Sequence, residues 1–212
     1  MSDIDYTLKL NKNNISNKKL VCGVGINDAD YQVQQKFKDK IITCPFYRKW
    51  QSMLNRCYSA SVHKKRPTYI GCSVSSEWLL FSNFKKWMEK QNWENNDLDK
   101  DLLLLNNKVY SADTCLFIPP KINTLLLSNN ACRGKFPQGV SLNKQVGRAD
   151  KYKAQISINN KKIHIGLFFT IEEARTAYLK VKIAYIESVA LEQDTILRTA
   201  LTEWCQRNKE KL

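Results

Sequence analysis

Lys153, Gln155 and Ser157 alternate with Ala154, Ile156 and Ile158 along one stretch of this chain, and Lys162 and His164 alternate with Ile163 and Ile165 along the next. Extended backbone sends successive side chains to opposite faces, so each stretch separates into an apolar row and a polar row. The apolar rows can pack on a helix. The polar rows offer positive charge and hydrogen-bond donors at the pitch of a sheet that fits a DNA groove. Gln155 is the candidate base reader, because its amide pairs bidentately with adenine. Lys144, Arg148, Lys153 and Lys162 are candidates for phosphates, which fix register without reading sequence. Between Cys132 and Ile165 the basic residues are Arg133, Lys135, Lys144, Arg148, Lys151, Lys153, Lys161 and Lys162, opposed only by Asp150. The competing reading is a solvated sheet face that is simply basic, since exposed strands often carry lysine.

A second constellation is Asp99-Lys100-Asp101. It reads equally as part of a metal site and as a polar strand entry with salt-bridged side chains. The histidines are His63 and His164, so neither stands nearby in sequence to serve as a base. Lys100, flanked by two carboxylates, is expected to stay protonated. Lys64-Lys65-Arg66 reads as a solvated turn that could touch a phosphate, and Trp50, Trp78, Trp87 and Trp93 read as core rather than base-stacking platforms. Seven cysteines at irregular spacing, with no Cys-x-x-Cys pair, argue against a disulfide framework. A structural zinc held by Cys44, Cys57, Cys72 and Cys115 lacks the paired spacing of such sites, so buried free thiols are the expectation.

The elements that must position these groups follow from periodicity. Residues 1–40 are rich in Asn, Lys and Asp, with the first twenty read as loose and Leu20 to Gly25 as a short strand before a turn at Asn27-Asp28. From Pro45, Trp50, Met53, Leu54 and Cys57 recur at helical spacing, and a polar loop from Ser59 to Arg66 leads to a second helix carrying Phe84, Trp87 and Met88. Leu98 to Tyr110, with Asn106-Asn107 between apolar stretches, predicts a hairpin, and Pro119-Pro120 predicts a helix over Lys121 to Leu127. Ser128 to Gln138 reads as a linker. Strands are expected at Gly139 to Leu142, Tyr152 to Ile158 and Lys161 to Leu167, the last two joined by a turn at Asn159-Asn160. Thr170 with Glu173 forms a capping box for a helix presenting Ala174, Ala177, Tyr178, Val181, Ala184 and Tyr185 on one side.

The whole chain sets the frame. Its 212 residues are 43% hydrophobic, enough for a real core in one or two units. A net charge of +14 creates an attractive field for phosphate backbones. No apolar run approaches the ~18 residues a bilayer span needs, and Met1 to Leu20 is polar rather than signal-like, so a cytoplasmic protein without a membrane partner is expected.

Gly139-Val140-Ser141, Tyr152-Lys153-Ala154-Gln155-Ile156 and the run Ile165-Gly166-Leu167-Phe168-Phe169-Thr170 to Tyr178 together resemble the APETALA-type DNA-binding domain, which phage and mobile-element proteins also carry. The resemblance implies a three-stranded sheet in the major groove of double-stranded DNA, with contacts at Lys153, Gln155, Ser157, Lys162 and His164. The tryptophans and most of the arginines of the plant sheets are missing, so their recognition site does not carry over. The stretches Trp50 to Tyr58, Glu77-Trp78-Leu79, Phe81 to Phe84 and Leu98 to Cys115 resemble phage-borne HNH endonucleases over roughly Cys44 to Leu127. That resemblance implies a ββα-metal fold using Mg (or Mn), with Asp99 and Asn123 as metal ligands. Lys100 then stands where the general-base histidine belongs, and Thr114 where a structural asparagine belongs.

The expected fold class is therefore α+β. Residues 1–40 form an N-terminal segment, 41–128 an HNH-like region, 139–190 an APETALA-like three-stranded antiparallel sheet packed on a helix, and 191–212 a helical extension. The expected function is double-stranded DNA binding of the homing-endonuclease type, with metal-dependent nicking or cleavage through Asp99, Lys100 and Asn123. The alternative is an inactive relative acting as a repressor or competitor on DNA, and an RNA-binding or protein-binding adaptor is a third class.

Overall fold

A computed structural model describes residues 4–5, 8, 19–127, 135–144 and 151–212. The expected loose start falls mostly outside these residues, as do Arg148 and most of the Ser128 to Gln138 linker. The chain is α+β and divides into two compact units, Met1–Asn123 and Thr124–Leu212. Among the described residues no helix is long and apolar enough to cross a membrane.

The first unit is built around aromatic side chains. Strands β1 (Gln34–Phe37) and β2 (Lys40–Thr43) form an antiparallel hairpin, followed by helices α1 (Pro45–Tyr58) and α2 (Ala60–Lys65), β3 (Ser73–Val74) and α3 (Phe81–Met88). Pro45 occupies the first turn of α1, where its missing N–H costs nothing. The apolar face of α1 buries Trp50, Met53, Leu54 and Cys57, and α3 meets it with Phe81, Phe84 and Met88. Trp50 and Trp78 are core, as expected, and the Trp50 indole donates to the Trp78 carbonyl at 2.7 Å. That bond satisfies the one polar atom a buried tryptophan brings with it.

Several local expectations for this unit fail. Ser59 to Arg66 is not a loop, since α2 occupies most of it, and a His63 ring nitrogen lies 2.9 Å from the Arg56 carbonyl. Leu20 to Gly25 makes a tight turn closed by a Val21–Gly25 bridge rather than a strand. The β1–β2 hairpin is unforeseen, because its turn uses Lys38, at φ +53°, and Asp39 instead of glycine or asparagine. Most instructive is the stretch from Leu98 to Tyr110, which is not a hairpin. Its first strand, β4 (Asp97–Asp99), pairs antiparallel with β6 (Leu116–Ile118), whereas β5 (Val109–Tyr110) pairs parallel with β3. Helix α4 (Pro120–Leu126) follows β6 directly, as the two prolines predicted.

In the second unit β7 (Val140–Asn143), β8 (Lys151–Ile158) and β9 (Lys161–Phe168) form a three-stranded antiparallel sheet in that order. The β8–β9 turn places Asn159 at φ +49° and Asn160 at φ +62°, the left-handed pair that a type I′ hairpin requires and asparagine tolerates. Helix α5 (Ile171–Ala190) opens with the expected capping box. The Glu173 amide donates to the Thr170 hydroxyl at 3.1 Å, while the Thr170 amide donates to the Glu173 carboxylate at 3.2 Å. Ala174 and Tyr178 pack against Val140, Ala154 and Ile156, so α5 covers one face of the sheet. Gly139, at φ +77°, lies directly under the Tyr178 ring. Ala184 is exposed instead of inward, because Ile183, Ile186 and Ala190 turn a second buried stripe of α5 toward α6 (Thr195–Lys209). Lys182 is buried on the same helix, with Nζ donating to Gln138 at 3.0 Å and standing 5.4 Å from the centre of the Trp204 ring.

Candidate nucleic-acid interface

The sheet face away from α5 presents the predicted polar row. Cross-strand register places Gln155 opposite His164 and Ser157 opposite Lys162, with Lys153 between Ser141 and Leu167, and Lys151 opposite Asn143. Directly opposed side chains stand about 5 Å apart, so these residues form a continuous patch rather than separate strands of charge. Ser157, Lys162 and His164 are exposed and Lys153 and Gln155 half-buried, while their alternates Ala154 and Ile156 are buried. Lys144 lies just beyond β7 and is exposed. Five of the sequence-derived contact residues thus share one surface, with Lys144 at the end of β7.

One irregularity was not legible in the sequence. The β8–β9 register shifts between Ala154 and Gln155, so Ala154 pairs with Gly166 but Gln155 pairs with His164, and Ile165 is the extra residue of a β-bulge. The bulge resets the alternation. Leu167 therefore shares the polar face with Lys153, and Phe169 follows with the Lys151 ammonium 4.9 Å over its ring. Ile163 is opposite Ile156 on the helix side as expected, yet it is 44% exposed near the turn end of the hairpin.

Charge on this unit is polarised. Residues 133–170 hold eight lysines and arginines against Asp150 alone, whereas residues 171–212 hold seven basic and seven acidic residues. Among the described residues no carboxylate forms an ion pair with Lys144, Lys151, Lys153, Lys161 or Lys162.

The other constellation is organised differently. Asp99 ends β4, and one of its oxygens accepts the backbone N–H groups of Asp101 at 2.9 Å and Leu102 at 2.8 Å, capping the turn that follows. Burial raises its carboxyl above the usual carboxylate range, the two backbone donors oppose the rise, Asp101 adds to it and Lys100 opposes it. Lys100 is buried at 5% exposure, with its ammonium on the Asp101 carboxylate and on the Asn107 carbonyl at 2.7 Å. Asn107 returns the contact, donating to the Lys100 carbonyl at 2.9 Å and to the Val109 carbonyl at 2.7 Å. This reciprocal clamp closes the loop from Lys100 to Lys108. Sequence reasoning read Asn107 only as a turn residue, and no spacing signal marks its clamp on Lys100. Thr114 accepts from the Ser111 amide at 3.2 Å and donates to the Val109 carbonyl at 2.8 Å, fixing the turn into β6.

Asn123 does not bond Asp99. Its amide donates at 3.2 Å to Asp97, two residues earlier on the same face of β4, and the Lys49 ammonium lies 3.9 Å from that carboxylate. Among the described residues no group of three or more His, Cys, Asp or Glu side chains is arranged to hold a metal ion. Burial pushes the Cys57 and Cys115 thiols up to about 12, so both are neutral at physiological pH. No family model, curated protein or solved structure matches the chain.

Proposed function

We propose that this protein binds double-stranded DNA through the exposed face of β7–β9 and that its first unit does not cut it. The observation that carries the reading is the patch of Lys153, Gln155, Ser157, Lys162 and His164, with no described carboxylate paired to its lysines. Three strands spaced about 4.8 Å apart span roughly 10 Å, comparable with the ~12 Å major groove. The deep, narrow groove of duplex RNA does not admit such a surface, which favours DNA over RNA. Lys153 and Lys162 then serve phosphates and Gln155 a base edge, while Lys144 extends the phosphate track.

Non-cleavage is the reading favoured by Lys100. An HNH-type mechanism requires a base beside the metal ligand, and here that position carries an ammonium between an aspartate and a carbonyl. Asp99 and Asn123, the ligands implied for Mg or Mn, are engaged with backbone N–H groups and with Asp97. A buried positive charge beside Asp99 also repels a dication. These residues therefore do not fit the metal site implied by the resemblance, and no catalytic step is assigned to them.

Two measurements test the proposal. Binding to duplex DNA titrated with salt is expected to lose about 0.9 from its log–log slope for each phosphate contact removed, hence about 1.8 for Lys153→Ala with Lys162→Ala. An unchanged slope sinks the sheet as the DNA face. Supercoiled plasmid incubated with Mg or Mn is expected to remain supercoiled while binding persists. Nicked product that disappears in Asp99→Ala would establish the endonuclease instead.

A further inference from the structure

A leucine on a basic, exposed sheet face needs a reason. Alternation from Ile163 and Ile165 would send Leu167 toward the helix, but the bulge at Ile165 turns it outward, where it is 38% exposed in register with Lys153. Phe169, 69% exposed, extends the same edge beside Lys151. The row Ser141–Lys153–Leu167 adjoins the row Gln155–His164, so an apolar group sits diagonally next to the proposed base reader. Diagonal neighbours in an antiparallel pair are about 7–8 Å apart, which is roughly two base-pair steps of duplex.

We propose that Leu167 is a sequence-reading contact that recognises the 5-methyl group of thymine in the major groove. The inference rests on the DNA-binding reading and deepens it. A leucine side chain neither donates nor accepts a hydrogen bond, so the donor and acceptor code of the base edges is invisible to it. The thymine methyl is the one apolar group that the four base pairs present in the major groove. Contact with it removes both apolar groups from water, whereas contact with cytosine or a purine edge desolvates polar atoms without repaying them. Gln155 recognises adenine and Leu167 a thymine about two steps away, so the preferred sites are rich in A·T pairs read from the major groove.

The test compares the full-length protein on alternating poly(dA-dT) duplex and on its uracil counterpart, which lacks only the methyl groups, at one salt concentration. Wild type is expected to bind the uracil duplex about three- to fivefold more weakly, the effect of one buried methyl. Leu167→Ala is expected to bind both duplexes equally, near the wild-type affinity for uracil, and Leu167→Met to keep the preference. An unchanged melting temperature for both variants excludes unfolding as the cause. Equal wild-type binding to the two duplexes overturns the methyl contact while leaving DNA binding intact. A preference that survives in Leu167→Ala overturns the assignment to this residue, and failure to bind either duplex overturns the DNA-binding reading itself.

Discussion

Asp99 illustrates how one side chain can look catalytic and serve a turn. Its carboxylate caps the backbone of Asp101 and Leu102, and burial holds its pKa above the usual carboxylate range. A carboxyl whose native pKa exceeds its unfolded value, about 3.9, stabilises the fold fully below that value and progressively less as pH rises through the native pKa. At neutral pH the charge is therefore a cost, while the oxygen is an asset. Asp99→Asn, which keeps an acceptor and removes the charge, is expected to match or exceed wild-type stability near pH 7, with the difference shrinking toward pH 4. Asp99→Ala is expected to lose about 1 kcal/mol by removing the acceptor that caps the turn. Urea titrations across that pH range check both, and a large loss in Asp99→Asn would return the carboxylate to a charge-dependent role. The residue types at this site were legible in the sequence, but their partners were not. That Lys100 and Asn107 clamp each other depends on a loop geometry that no spacing rule encodes.

At the scale of elements, legibility followed length. The eight-residue strands β8 and β9 and the twenty-residue α5 carry enough periods to declare themselves, and the asparagine turn and the capping box punctuate them. The two- and three-residue strands of the first unit carry no period, and β4 finds its partner β6 far along the chain, so the expected local hairpin was the wrong pairing. The bulge in β9 was hidden for the converse reason, since one inserted residue leaves composition unchanged while exchanging the faces beyond it. The seating of α5 on the sheet depends on Gly139. A Cβ there would stand only 2.0 Å from Cδ2 of the Tyr178 ring, and its φ of +77° disfavours any L side chain. Gly139→Ala is expected to cost about 2–4 kcal/mol by combining overpacking with backbone strain. Denaturant midpoints measure it, and a cost below about 1 kcal/mol would mean that the ring moves aside freely.

For the molecule as a whole, charge was legible from composition, but its polarity required the fold. Within the second unit the sheet segment gathers the excess, while residues 171–212, which contain α5 and α6, hold as many acidic as basic residues, so the unit has a distinctly cationic side. In the first unit the Lys100 ammonium is a counter-ion carried on the chain itself, bonded to Asp101 and Asn107 and next in sequence to Asp99. An ion held by covalent bonds cannot be dialysed away, diluted or exchanged for another. Folding of this region should therefore be blind to the mineral composition of its surroundings. Exhaustive chelation and millimolar magnesium at matched ionic strength are expected to give the same melting temperature, and a rise with magnesium would reveal a cation that the tethered one has not replaced.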